Sequence, residues 1–424
     1  MLFIYGSLPV GGIETFFVRM AKERSRLGLP TSVLLLSGVE ISDAKLLQEL
    51  QKYADVYFLD DVYVTVPFFT QRFPLLAPLK KKALRQYFAS VDHIHVTDAM
   101  HALVAQRLLR ALGKNAPISV GVYHYIKYLW GGDKVAEYEK INRKFVFEYL
   151  PKALLLLFSD GNRELYEKHK NIDLSACQTF RLGVVDKKVL KMEGEMRPPL
   201  HMVAVGRLVE FKTYNFYMLD VIKDLGEKGF QVHFDIYGDG PLRQELECKI
   251  TERGLQDQVR LKGTLDYLQF DEVVAKYDIF IGSGTAIIQA ASLGVPSIVG
   301  VENFAKPLTY GYFCDVYQHE YNVKGLELPL LSVEALLERY ITMESAQRMM
   351  LKKRHQEAIE GFTNQSCQNS LDELKNIPMP QKRFKFSLIR YEVSRTLDWI
   401  TMKLKKTHPR LNRYDEFKNL NEKQ

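Results

Sequence analysis

The sequence predicts an α/β protein built of two Rossmann-like, doubly wound domains. Two observations lead there: a length of 424 residues, too long for one ordinary core and comfortable for two, and an alternation of short apolar runs with amphipathic stretches along almost the whole chain. A third sets the division. A charged stretch ahead of Pro198 and Pro199 interrupts the alternation, which restarts at HMVAVG over 201–206. Domains are therefore expected at 1–192 and 193–375, followed by a basic helical tail at 376–424.

Taken in order, strands are expected near 2–6, 32–37, 55–59, 92–96, 118–124 and 153–158 in the first domain. The second should place them near 201–206, 231–237, 258–262, 278–282 and 297–299. Helical patterns fill most of the gaps. Two such domains leave a cleft between the carboxyl ends of two sheets, where open α/β folds take their ligands. No short repeat points to a solenoid.

Hydrophobic residues make up 46% and charged residues 26%, an ordinary globular balance. The net charge of +7 sits at one end: Gln381 to Gln424 holds twelve Lys or Arg against five Asp or Glu, while residues 1–380 balance at 46 against 46. That argues against nucleic-acid binding by the fold and directs attention to an anionic partner for the tail, such as a membrane surface. Cys177, Cys248, Cys314 and Cys367 are widely spaced with no metal-ligand pattern, which fits a reducing cytoplasm. The chain opens on the strand-like LFIYG without the features of a signal peptide, and no run of about 20 apolar residues suggests a span. The expected location is cytoplasmic, with a peripheral position at the inner face of the plasma membrane left open.

Glycine-marked loops carry the candidate chemistry. After the first strand, GSLPVGGIETFF sets Gly11 and Gly12 at a helix start, read either as a tight turn or as a place where a ligand approaches free N–H groups. In AVGRLVEFK, Gly206 ends a strand, with Arg207 beside it and Lys212 five residues on. Two such cations can neutralise a pyrophosphate leaving group, the alternative being solvated surface charges. The turn with Gly238, Asp239, Gly240 and Pro241 reads first as architecture, and Gly238 also counts among the candidate donor contacts. In IFIGSGTAIIQAASLGVPSIVG an apolar strand ends in Gly282, Ser283, Gly284 and Thr285 before a helix of small residues, an anion site in favourable form.

In this order the pieces resemble the GT-B glycosyltransferases, in particular the large retaining group that builds bacterial surface polysaccharides and glycolipids. The resemblance covers about residues 1–360 through GGIE, DHIHVT, VYHY, LFSDGNREL, RLGVVD, VGRLVEFK, YGDGPL and QAASLGVPSIV. It implies transfer of a sugar from a nucleoside diphosphate sugar to an acceptor hydroxyl, usually with retention. Arg207 and Lys212 match the family's diphosphate-binding pair, Gly12 the residue that approaches from the other domain, and His124 the histidine near the reacting sugar. For His124 the alternative is a buried core histidine. The family commonly carries two glutamates where this chain has Ile281 and Gln289. Gln289 keeps hydrogen-bonding capacity for a ribose or sugar hydroxyl without the charge, and Ile281 keeps nothing of a carboxylate. Related GT-B enzymes with a Gly-Thr loop in place of the first glutamate are similar, which suggests a variant site.

No Asp-x-Asp cluster occurs, and Asp60 with Asp61 reads as a solvated turn, so no metal or cofactor is expected beyond the donor substrate. The acceptor, a glycan or a polyprenyl-linked chain, should meet the first domain. There residues 64–88 combine Phe68, Phe69, Phe73, Leu75 and Leu76 with Lys80, Lys81, Lys82 and Arg85, suiting either a lipid headgroup layer or an ordinary loop and core helix. In the tail, Ile389, Val393, Leu397, Ile400 and Leu404 recur at helical spacing among Arg390, Arg395, Lys403, Lys405 and Lys406. That helix is expected to dock on the first domain or on a membrane. The functional expectation is a glycosyltransferase of capsule, exopolysaccharide or O-antigen synthesis, the alternatives being a non-catalytic GT-B partner subunit and a sugar-nucleotide epimerase.

Overall fold

A computed structural model describes residues 1–9, 12–124, 126–132, 134–177, 179–188, 198–266, 269–405 and 407–411. Met1–Gly183 with Cys367–Gln424 form one compact unit and Val184–Ser366 the other. Both are Rossmann-like α/β layers.

In the first unit β1 (Leu2–Tyr5), β2 (Ser32–Leu35), β3 (Asp55–Phe58), β4 (Ile94–Val96), β5 (Ile118–Gly121) and β6 (Leu155–Leu156) lie in the order β3-β2-β1-β4-β5-β6. Every neighbouring pair in this sheet is parallel. Strands of such a sheet are covered on both faces, which is why they read as unbroken apolar runs; Leu2, Phe3 and Ile4 are all buried. β6 is shorter than the apolar run at 153–158 suggests, because Lys152–Leu154 forms a helical turn instead.

The second unit repeats the plan with β7 (Leu200–Val205), β8 (Val232–Tyr237), β9 (Val259–Gly263), β10 (Ile279–Gly282) and β11 (Ser297–Val299), ordered β11-β10-β7-β8-β9. Chain order reverses between β7 and β10, as it does between β1 and β4 in the first unit. In open α/β sheets such a switch point, at the carboxyl ends of the strands, is where ligands bind.

The units divide earlier than the sequence pattern suggests. The expected boundary at 192/193 lies outside the described residues, whereas the contacts divide the chain after Gly183 and again after Ser366. The reason is a pairing that no local pattern announces: Val184 N–H donates to Phe362 O at 2.9 Å, and Asn364 N–H donates to Val185 O at 2.9 Å. The outgoing and returning chains thus run side by side. Beyond them Cys367, Leu371 and Leu374 are already buried in the core of the first unit.

The tail helix Leu388–Leu404 packs on the Glu137–Lys144 helix of the same unit. Tyr391 Oη donates to Asn142 Oδ1 at 2.9 Å, Tyr138 N–H to Ser394 Oγ at 3.1 Å, and Tyr138 Oη to Asp398 Oδ2 at 3.0 Å. Among the described residues no helix is long and apolar enough to cross a membrane.

A pH prediction follows from the second core. His355 is fully buried; its Nε2 accepts from Ser297 N–H at 2.9 Å, which leaves Nδ1 to donate to Leu351 O at 2.8 Å. Burial holds its pKa down to about 4. A histidine whose folded pKa is depressed contributes stability present above the unfolded value of roughly 6.5 and lost as pH falls toward the folded one. The full loss is about 3 kcal/mol. Resistance of the second unit to urea should therefore fall as the pH drops from 6.5 to 4. His355→Gln, whose carbonyl can still accept from Ser297, should flatten that slope; an unchanged slope would reject the assignment.

Candidate functional site

β7 leads into Gly206, whose N–H donates to Tyr237 O at 2.9 Å. Past the end of β8, Gly238 N–H donates to Gly263 O at 2.8 Å, and Leu208 N–H donates to Asp239 O at 3.0 Å. Two strand-end turns are laced together here with no room to spare. Gly238 has φ +154°, and a Cβ on it would overlap the carbonyl oxygen of Gly206. Gly238 therefore sets where Gly206 lies.

Beyond Gly206 the chain turns, leaving Arg207 exposed and bringing the half-buried Lys212 ammonium back over Gly206. The turn is tied to the segment after β11: Asn303 N–H donates to Phe211 O at 2.8 Å and Thr213 Oγ1 donates to Phe304 O at 2.7 Å. That segment carries Glu302, which accepts from Ser283 Oγ at 2.8 Å. Burial pushes the Glu302 carboxyl upward, while the Ser283 hydrogen bond and the Lys212 charge oppose it. Burial likewise pulls the Lys212 ammonium down, Glu302 opposing and Arg207 adding to the effect. A cation and a carboxylate thus share one partly dry corner. Tyr214, fully buried, hydrogen-bonds the same Ser283.

The second part of the site is the start of the Gly284–Ser292 helix, directly after β10 and Ser283. Gly284 has φ +66°, a conformation that admits glycine at little cost. Its N–H donates to Asn322 Oδ1 at 3.1 Å, so the first of the helix's free donors is engaged and those of the next residues are not taken up within the helix. Thr285 is exposed at this end, and Ile287, Ile288, Ala290 and Ala291 anchor the helix on the sheet.

The structure brings Gly206, Lys212, Gly238 and Gly284 to the β7/β10 switch point, with Arg207 and Thr285 at its rim. Gln289 lies one turn into the helix, where its Nε2 donates to Asp271 Oδ1 at 3.1 Å. Asp271 in turn pairs with Lys188. A carboxylate therefore stands beside Gln289, supplied by the Phe270–Val274 helix. Ile281 is fully buried within β10.

Two residues that sequence reasoning missed are Glu302 and Asn322. A signal for Glu302 existed: a carboxylate three residues beyond an apolar strand lies at the ligand-binding end of a parallel sheet. Asn322 carries none, since it arrives from a long irregular segment.

The remaining candidates are in the first unit. Gly12 is exposed at the start of the Gly12–Arg26 helix, and Glu14 in its first turn is buried and accepts from Tyr5 Oη at 3.0 Å. His124 is exposed in the loop beyond β5, so core burial does not explain it. Behind that loop a buried chain runs from His93 through Ser119 and His95 to Tyr123, with links of 2.8, 2.9 and 2.8 Å. At the β1/β4 switch point Asp98 caps a helix by accepting from His101 N–H at 2.9 Å. Burial there is outweighed by His101 and Lys127, which hold the Asp98 carboxyl at about 2.

In comparison with known proteins, residues 191–341 match the family model of glycosyl transferases group 1. The matched stretch lies within the second unit. Over 126 residues the chain is 29% identical to the UDP-N-acetylglucosamine--peptide N-acetylglucosaminyltransferase GtfA subunit of Streptococcus gordonii, covering 28% of this chain and 24% of that one. It is 24% identical over 217 residues to the amylovoran biosynthesis glycosyltransferase AmsK of Erwinia amylovora, covering 46% and 51%. The chain thus spans about half the length, or less, of these curated relatives. Among solved structures, Anabaena Alr3699/HepE in complex with UDP superposes with a TM-score of 0.59 at 16% identity, covering 88% of this chain and 98% of that one. The fold of the chain is GT-B.

Proposed function

We propose that the chain transfers a sugar from a nucleoside diphosphate sugar to a hydroxyl of a glycan or lipid-linked acceptor, with retention at the anomeric carbon. The observation that carries this is the Lys212 ammonium, half-buried over Gly206 at the switch point that also holds the free end of the Gly284–Ser292 helix. An anionic diphosphate suits that corner. As the acceptor oxygen bonds to the anomeric carbon, the bond from that carbon to the diphosphate oxygen breaks. The electron pair stays on the diphosphate, and the acceptor's hydroxyl proton passes to an oxygen of that departing diphosphate on the same face of the sugar. Lys212, Arg207 and the helix N–H groups stabilise the charge that develops. Gly12 and His124 are assigned to the donor and the reacting sugar on the resemblance stated above. With positive charge supplied by side chains, transfer should proceed in the presence of a chelator.

A uridine nucleotide is the first donor to test, because the Anabaena neighbour was solved with UDP. The Erwinia relative's role in amylovoran biosynthesis supports surface polysaccharide synthesis, and with it work at the inner face of the plasma membrane. A thermal-shift panel of nucleotide sugars should give one clear stabilisation, since a ligand of the folded state raises its apparent stability with affinity. The stabilising sugar should then be turned over, and the anomer of the product read by NMR. Buried Ile281 and uncharged Gln289 motivate a second reading, a donor-binding partner subunit without turnover. Binding without turnover would establish that reading and reject transfer.

A further inference from the structure

Amphipathicity in the tail helix indicates an apolar face without saying whether that face is the docked one. Here it is not. The Leu388–Leu404 helix meets the first unit through Tyr391, Glu392, Ser394 and Asp398, of which Tyr391 and Glu392 are buried. At 100° per residue these positions lie opposite the stripe Ile389, Val393, Leu397, Ile400 and Leu404. The stripe faces solvent, with Ile389 70%, Leu397 58% and Leu404 79% exposed.

A second apolar element stands beside it. The loop after β3 exposes Val64, Val66 and Phe68, the last 97% exposed and held at φ +59°. The Arg72 guanidinium stacks over the Trp399 ring at 4.5 Å, and Arg395 donates to Arg72 O, so loop and helix are fastened together. The surrounding charges have one dominant sign. Lys382, Arg383 and Lys385 in the segment leading into the helix, Arg390 and Lys403 on it and Lys405 at its end are all exposed.

We infer that the outward stripe of the tail helix, with the Phe68 loop, is the face by which the chain binds an anionic lipid bilayer. The inference rests on the reading above of an enzyme that works at a membrane surface. Apolar side chains enter the acyl boundary while the ring of Lys and Arg meets lipid phosphates. A second copy of the chain would have to bring the same cations against these, and like charges oppose that pairing.

The test is co-sedimentation of the full chain with vesicles of phosphatidylglycerol and phosphatidylcholine, against vesicles of phosphatidylcholine alone. Binding is expected to the first and not the second, and to weaken as salt is raised. Val393→Asp with Leu397→Asp places charges on the solvent side, so melting should be unchanged while partitioning falls roughly a hundredfold. Absence of binding to anionic vesicles, or equal binding by the variant, would overturn the inference. So would a dimer that the double substitution dissolves. Nucleotide-sugar binding measured on the same samples keeps this outcome separate from the transferase reading, because neither substitution touches the donor corner.

Discussion

Lys212→Ala is expected to lower kcat/KM for sugar transfer by roughly 100- to 1,000-fold, with the thermal midpoint almost unmoved. The size of the effect comes from where the cation sits. A half-buried ammonium beside Gly206 acts on a leaving diphosphate through a partly dry corner, where charge is weakly screened. Its removal also leaves Glu302 there without the cation that opposes its burial. The site would then present a carboxylate, held by Ser283 at 2.8 Å, to an incoming anion. Arg207 is exposed, so Arg207→Ala should cost less and its cost should shrink as salt is raised. Adding Glu302→Gln to Lys212→Ala removes the uncompensated charge and should recover part of the donor affinity. Steady-state kinetics on the single and double variants check all three expectations. Full activity in Lys212→Ala would sink the site assignment.

The strands were legible in the sequence and several of the contacts that define the site were not. Parallel strands covered on both faces must be apolar throughout, so LFIY, SVLL and IFIG reveal themselves locally. Gly206, Lys212 and Gly284 can be picked out as candidates because strand ends carry ligands in this class of fold, and each follows a strand directly or by a short turn. Glu302 was hidden because its importance comes from Ser283 and Lys212, which are distant in sequence. The same holds for Gln289, whose side chain alone says that a charge is missing; only the fold shows Asp271 standing next to it at 3.1 Å. The unit boundary moved for a related reason, since Val184 and Val185 pair with residues near 362–364 across the whole second unit. The tail shows the limit of periodicity itself. A helical repeat shows that one face is apolar, whereas docking through Tyr391 and Asp398 was set by polar partners on the Glu137–Lys144 helix.

Gly238→Ala should destabilise the second unit by about 3 kcal/mol or more, a combination of steric overlap and a backbone conformation that disfavours a side chain. Relief is blocked on both sides. The overlapping atom is the backbone oxygen of Gly206, and backbone hydrogen bonds of 2.9 Å from Gly206 to Tyr237 and 2.8 Å from Gly238 to Gly263 hold the two turns in place. Any movement that makes room displaces the end of β7, and with it the loop bearing Arg207 and Lys212. Donor binding should therefore fall further than loss of folded protein accounts for. Gly12→Ala provides the contrast, because a Cβ there meets nothing within 4 Å. That variant should keep its stability, so any loss of transfer in it reports contact with a ligand and not a damaged fold. Denaturant unfolding and donor titration on the two variants separate these causes. An unfolding midpoint for Gly238→Ala equal to that of the parent would show that the turn can yield, and the role of Gly238 as a spacer for Gly206 would fall.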